Sequence, residues 1–316
     1  MSVLSESYEC SVVVCTYRSS WNKMHLTLKS ILMQKNCKIQ IIVTDDGSEE
    51  NLFDKVRGYL DSHHFTKYKL VASDKNRGTV YNVLQGLQAS EGEFVKPISP
   101  GDFLYEKNSL RQWIDFMHRH NDYVMSYCDA IYYHWKNGEI IPVSERSNPQ
   151  SRKPSVEEYL LYDDTCLGAS VMVKRREWIK YLEMMNGKVI YAEDFSYKIM
   201  LYCGEKIINM PKCCLLYEYG TGISTCSSQF WSKRLADDSV AVREIMLSAN
   251  ACSEAIKLKI EDYLQIPQRR SWYCRYKRYR HCPSKLLYLL KWKLFPRRTS
   301  VDLDAGFVHE LLAERK

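Results

Sequence analysis

Four short apolar runs recur in the first hundred residues, and each gives way to a polar turn. Ser11-Val12-Val13-Val14-Cys15 stops at Thr16-Tyr17-Arg18, and Ile39 to Val43 stops at Thr44-Asp45-Asp46-Gly47-Ser48. Tyr68 to Val71 precedes Asn76-Arg77-Gly78, and Glu93 to Ile98 stops at Ser99-Pro100-Gly101-Asp102. Short β-branched runs bounded by Gly, Asp, Asn and Ser read as buried strands. Helical spacing fills the gaps between them: Leu28, Ile31 and Leu32 within 25–34, then Val80, Val83, Leu84 and Leu87. Strands alternating with helices imply βαβ units, and so an α/β fold with a mostly parallel sheet flanked by helices. Ligands of such sheets bind outside the carboxyl ends of the strands. Thr16-Tyr17, Asp45-Asp46 and Asp102 are therefore expected to converge on one crevice.

The second half is less regular. Val124 to Cys128 and Ile131 to Trp135 read as strands, and Leu167 to Val173 as a small-residue turn leading into another. Trp178 to Met185 and Asp194 to Tyr202 read as helices, the second with Glu193-Asp194 at its start, where acids meet the helix dipole favourably. From Phe230 onward the pattern is helical. This places a boundary near residue 225, between an α/β unit (1–225) and a helical, basic C-terminal extension (226–316).

Composition narrows the class. At 45% hydrophobic residues the 316-residue chain can build a real core, and its net charge of +7 is only moderately basic. The first residues lack a basic segment followed by an apolar one, so no secretory leader is read there. No apolar run approaches the roughly 20 residues of a membrane-spanning helix. The expectation is a cytoplasmic protein, soluble or peripheral. The twelve cysteines contain no CxxC pair and read as reduced, packed thiols. GxGxxG, GxxxxGK[ST] and HExxH are all absent, which argues against dehydrogenase, P-loop and zincin chemistry.

Taken in order, five blocks resemble family 2 glycosyltransferases of the GT-A fold, including those that build bacterial surface polysaccharides. They are Ser11 to Arg18 with Ser30-Ile31-Leu32-Met33-Gln34; Ile41 to Ser48; Asn76-Arg77-Gly78 with Asn82; Glu91 to Val95 with Ser99 to Asp102; and Glu193-Asp194. The resemblance spans about residues 9–225. It implies an inverting transferase (a hexosyl- or related transferase) that uses a nucleotide-sugar donor, a UDP-sugar favoured. The implied acceptor is a hydroxyl of a glycan or of a lipid-linked oligosaccharide.

Residue by residue, Thr16, Tyr17, Arg18, Asp45, Asp46 and Arg77 are the nucleotide-binding candidates. Tyr17 offers an aromatic face to a base, or is a rim tyrosine. Asp45 or Asp46 can accept the ring N–H of uracil, or cap a helix, and the resemblance favours Asp45 for the base. Arg77 contacts base or phosphate, or is an exposed arginine at a helix start. The resemblance makes Asp102 the ligand of a Mg²⁺ or Mn²⁺ ion that neutralises the leaving diphosphate, although the family often carries two or three acids in this loop. It makes Asp194 the general base, with Glu193 beside it, or else both acids serve the helix dipole. Gly168 and Ala169 resemble an acceptor-side turn, and Tyr219 to Ser224 a loop over the diphosphate.

The extension has its own signal. Arg269 to Arg280 is basic and aromatic, Ser284 to Phe295 mixes leucines with lysines, and no acid occurs between Leu264 and Val301. Such a stretch suits an anionic membrane surface, here the inner face. Docking on the catalytic unit and, less favoured, nucleic-acid binding are the alternatives. A non-catalytic module that binds nucleotide sugar or glycan on a GT-A fold is the alternative to an enzyme.

Overall fold

The computed structural model describes residues 8–143, 156–162, 166–223, 228–249, 251–267, 271–280 and 303–313, and the single positions 283, 287, 290 and 294. The expected alternation forms β1 (Cys10–Thr16), α1 (Trp21–Leu32), β2 (Ile39–Asp45), α2 (Phe53–Ser62), β3 (Tyr68–Ala72), α3 (Thr79–Ala89) and β4 (Phe94–Ile98). There follow β5 (Phe103–Leu104), α4 (Ser109–Arg119), β6 (Met125–Lys136), β7 (Glu139–Pro142), α5 (Val156–Leu161), β8 (Val171–Lys174), α6 (Arg175–Met185), α7 (Ser196–Tyr202) and β9 (Ile207–Glu218). Helices α8 (Gln229–Ala249), α9 (Glu254–Leu264), α10 (Trp272–Tyr279) and α11 (Ala305–Leu312) complete the described chain.

The strands form one sheet in the order β3-β2-β1-β4-β8-β6-β9-β5, with β7 on β6. β1 to β4 are mutually parallel; β8 is antiparallel to both β4 and β6, so β6 and its parallel partner β9 run the same way as β1. The carboxyl ends of β1, β2, β4 and β9 therefore reach one edge, and the amino end of β8 reaches it too.

Alternate residues of each inner strand feed opposite cores, as the two-residue period of a strand requires. Val12, Val14, Ile41 and Val43 pack under α1, α2 and α4. Val13, Cys15, Ile42 and Val95 pack under α3, α6, α7, α8 and α9. Helix α4 buries Leu110, Trp113, Ile114 and Met117, a stripe at helical spacing. The two strands expected between 124 and 135 are one continuous strand, β6. β9 carries Pro211 in its interior. Its register against β6 shifts there, Met210 facing Cys128 and Cys213 facing Asp129, so the proline sits in a bulge that does not need its missing N–H.

Residues beyond 226 share these cores. Val242, Ile245 and Met246 of α8 and Ile260 and Tyr263 of α9 belong to the same cluster as α3. Fully buried Arg243 donates to the Leu161 carbonyl (2.8 Å) and lies over the Tyr263 ring. Most of the basic run 269–298 lies outside the described residues; within it, α10 is capped by Ser271, buries Cys274, and exposes Tyr273 and Tyr276. Helix α11 docks through Phe307 and Leu311, with Phe307 edge-on to Tyr105 and Glu310 paired to Lys107 (2.5 Å).

Two helical glycines test this packing. A Cβ on Gly86 of α3 would lie 2.4 Å from Val13 Cγ1 and 2.9 Å from Thr44 Cγ2, both β-branched and inside the sheet, whereas one on exposed Gly58 of α2 would meet nothing within 4 Å. Gly86→Ala should cost about 1–3 kcal/mol by overpacking. Gly58→Ala should stabilise by about 0.5–1 kcal/mol through helix propensity. Urea midpoints at unchanged slope measure both, and equal shifts would contradict the close approach of α3 to β1.

Candidate active site

At the shared edge the strand ends enclose an open cleft of about 960 Å³. Its walls include Tyr17, Arg18, Asp102, Gly168, Ala169, Glu193 and Asp194, seven of the residues singled out from sequence. Thr16, Asp45, Asp46 and Arg77 do not line it, and Ser224 lies outside the described residues.

The second row behind the wall explains itself. Asp45 is buried and accepts from Ser48 twice, from the backbone N–H (2.7 Å) and from the hydroxyl (2.8 Å). The same hydroxyl accepts the N–H of Arg18 (2.8 Å), whose left-handed backbone (φ +47°) turns the chain back across β2. The ends of β1 and β2 are thus locked together, with Tyr17 projecting, 40% exposed, from the joint. Asp46 accepts the N–H groups of Arg77 and Gly78, each at 2.8 Å. Neither acid caps a helix, because α2 begins only at Phe53. Thr16 is buried, and its carbonyl accepts from the Asp46 N–H (3.0 Å) and from Asn82 Nδ2 (3.2 Å). The Arg77 guanidinium pairs with Asp74 (3.1 Å) and stacks on Tyr81, on the outer side of α3.

Asp102 ends the loop after β4. It is 5% exposed, and its Oδ1 accepts the N–H of Glu218, the last residue of β9 (3.1 Å). Glu218 pairs with Lys23 of α1 (2.6 Å). Burial pushes the Asp102 carboxyl up to about 7; the Glu218 N–H and the Lys96 charge oppose the rise, and the Glu218 charge adds to it. Lys96, wholly buried in β4, donates to the carbonyls of Pro97 (2.6 Å) and Ala169, and burial lowers its ammonium to about 8.

Glu193 and Asp194 form a short 3₁₀ turn before α7, not the helix's first turn as the sequence suggested. A Cβ on Gly168 would lie 2.7 Å from Glu193 Oε1 and 3.3 Å from Asp194 Cβ, so the small-residue turn before β8 packs directly on the acids. Burial pushes Asp194 up to about 7, against the pull of the Lys198 charge. Glu193 is raised well above the carboxylate range by burial and by the Asp194 charge. A carboxyl titrating near neutrality is matched to proton abstraction at cellular pH.

Five charged residues at or behind this site were not read from sequence. Glu218 and Lys23 line the cleft; Lys96, Lys198 and Asp238 sit behind it. A lysine inside the apolar runs FVKPI and SYKIMLY was a usable signal, since an unpaired buried ammonium is costly. Glu218 ends a strand hidden by its proline, and Asp238 had no local signature.

The pair Asp102–Glu218 fits a divalent cation. Both are hard oxygen donors, and burial holds the Asp102 carboxyl high although the Lys96 charge opposes the rise. Among the described residues no group of three or more His, Cys, Asp or Glu side chains that could hold a metal ion occurs.

Known structures share this frame. TarS of S. aureus has a TM-score of 0.57 at 18% identity over 83% of this chain, which spans only 44% of that protein's length. TarS 1–349 in complex with UDP-GlcNAc gives 0.57 at 17% identity, covering 92% of this chain and 76% of that one. The mannosyltransferase PcManGT of Pyrobaculum calidifontis, in complex with GDP-Man and Mn²⁺, gives 0.58 at 15%, covering 94% and 77%. At these identities the likeness is one of fold. No curated protein matches the chain in sequence. The family model for glycosyl transferase family 2 matches residues 11–180, more than half of the chain. With the GT-A frame around its cleft, the chain belongs to glycosyl transferase family 2 and is a glycosyltransferase.

Proposed function

We propose that the protein transfers a sugar, with inversion, from a nucleotide-diphosphate donor to a hydroxyl of a glycan or lipid-linked oligosaccharide in surface-polysaccharide assembly. A UDP-sugar is the favoured donor. The observation that carries this reading is the raised carboxyl of Asp194 in one cleft with Tyr17, Arg18 and Asp102. The cleft volume is of the order that holds a nucleotide sugar.

In this reading the base lies on the exposed face of Tyr17. Asp45, behind that ring and off the cleft wall, serves the base by bracing the Tyr17 joint through its two Ser48 bonds. Arg18 and Lys23 supply positive charge toward the diphosphate, and Asp102 with Glu218 would hold Mg²⁺ or Mn²⁺. That ion, when bound, neutralises charge on the departing diphosphate. Asp194 takes the proton of the acceptor hydroxyl as its oxygen attacks the anomeric carbon from the face opposite the diphosphate. Burial and the Asp194 charge hold the neighbouring Glu193 carboxyl well above its usual range. Gly168 and Ala169 leave room for the acceptor sugar. TarS binds UDP-GlcNAc and PcManGT binds GDP-Man in the solved structures, which supports a nucleotide-sugar donor and leaves its base and sugar to experiment.

The base assignment has a kinetic signature. Asp194 must be ionised to act, so kcat/KM should rise with pH through about 7 and level off above it. Asp194→Asn should lower kcat by about 10²–10⁴-fold. Nucleotide-sugar affinity, measured by calorimetry across UDP- and GDP-sugars with Mn²⁺, should hold within about twofold, since no donor contact is lost. Turnover at the wild-type rate in this variant would move the base elsewhere.

We also infer a place at the inner face of the membrane, in the cytoplasm. Among the described residues no helix is long and apolar enough to cross a bilayer. Tyr273 and Tyr276 stand exposed on α10, within a run that has no acid from 264 to 301. Aromatic rings beside basic residues suit the headgroup boundary. The protein should float with liposomes containing phosphatidylserine, less so at high salt, and Tyr273→Ala/Tyr276→Ala should weaken flotation. Equal flotation with neutral lipid would refute the electrostatic part.

A further inference from the structure

The buried acid Asp238 belongs neither to the cleft wall nor to the donor side. It sits on α8, beyond the family-matched segment, and is 5% exposed. Three consecutive backbone N–H groups converge on it: Ile190 on Oδ1 (3.0 Å), then Tyr191 (2.7 Å) and Ala192 (3.0 Å) on Oδ2. Charge-assisted bonds of this kind are among the stronger ones in proteins, and three from one short segment fix its orientation as well as its position. Ala192 is the residue immediately before Glu193.

The same segment is gripped from its other side. The carbonyl of Ile190 accepts the N–H of Val80 (3.1 Å) in the first turn of α3. It also fills the space over Gly78, where a Cβ would come within 2.4 Å. Residues 190–192 are therefore held between α3, which Asp46 anchors to the donor side, and α8. Helix α8 in turn presents Ser232, Leu235, Ala236 and Ser239 to the cleft.

We propose that Asp238 is a positioning residue for transfer: it aligns the turn bearing Glu193 and Asp194 with the donor site and couples that turn to the α8 wall of the cleft. The proposal rests on the reading of Asp194 as the base. Asp238 is not itself catalytic, since its oxygens face backbone donors and not the cleft. It also contributes charge. Glu193 within the turn, Lys198 of α7, Cys166 before the Gly168 turn and Asp238 of α8 are the titratable groups that act on Asp194 or are acted on by it. Asp238 raises the carboxyls of both Asp194 and Glu193.

The substitution Asp238→Asn keeps the shape, removes the charge, and turns an N–H₂ toward backbone donors. The full-length variant should show three changes. The amides of 190–192 should exchange about tenfold to a hundredfold faster, as expected for loss of hydrogen bonds to a charged group. The carboxyl ¹³C titration of Asp194, identified by its absence in Asp194→Asn, should move to lower pH, because a neighbouring negative charge is gone. The kcat for release of UDP from UDP-GlcNAc with Mn²⁺ should fall further than the donor KM rises. Arg243→Met is the control, since it loosens α8 through the Leu161 and Tyr263 contacts without touching 190–192.

If the Arg243 variant, at matched loss of thermal stability, moves the Asp194 titration as far as Asp238→Asn does, Asp238 is only structural and the proposal fails. Wild-type exchange and titration in Asp238→Asn also overturn it, whatever the turnover. If Asp194→Asn itself keeps wild-type turnover, the base assignment is the part that has failed. The exchange and titration results still decide whether Asp238 positions the turn.

Discussion

The contact of Gly78 with Ile190 holds the two halves of the cleft together. At φ +92° the backbone of Gly78 lies in a region that side chains rarely adopt, and the carbonyl of Ile190 occupies the place where a side chain would begin. On one side of this contact Asp46 draws in the N–H groups of Arg77 and Gly78, and with them the start of α3. On the other, the chain runs three residues further to Glu193. The start of α3 and the turn bearing the acids therefore meet at one glycine. Asp46, which sequence reading placed among donor ligands, acts in this structure on backbone.

Charge is distributed in two tiers. Acids face the cleft, and lysines lie under them within the protein: Lys96 beneath the Asp102 loop, Lys198 beneath Asp194. Each lysine is satisfied by carbonyls, Lys96 by Pro97 and Ala169, Lys198 by Tyr159 and Tyr162. The arrangement avoids unpartnered buried ammonium groups, which would be costly. It also opposes, without cancelling, the rise that burial imposes on the acids, so Asp102 and Asp194 both remain near 7. A site of this kind is primed for positive charge and for a proton, the two things that breaking a bond to diphosphate and making one to a hydroxyl require.

The sheet was legible where its information is local. β-branched runs followed by turn residues gave β1, β2, β3 and β4, and the rule that ligands gather at carboxyl ends gave the cleft. Reading failed where structure is made by distant partners. Pro211 disguised β9, because only the bulge against β6 makes a proline acceptable there. Helix α2 has just Val56 and Leu60 buried and a glycine between them, too thin a stripe to register. Glu193 and Asp194 looked like a helix start, yet the bonds from 190–192 to Asp238 precede a 3₁₀ turn in which the acids sit before α7 begins. Glu218 and Asp238 acquire meaning from neighbours more than a hundred and about fifty residues away in sequence.

That long reach has a consequence for biosynthesis. Strands β1 to β4 and the turns after them have been made once Asp102 is added, but the turn that carries Asp194 lacks its anchor on α8 until Asp238 has been added. Asp194 and Asp238 lie 44 positions apart, so at synthesis rates of about 5–20 residues per second roughly 2 to 9 s separate them. Throughout that interval the acidic turn is without its α8 anchor. Assembly order thus keeps the group assigned to proton transfer from being locked in place until α8, a wall of the same cleft, has arrived.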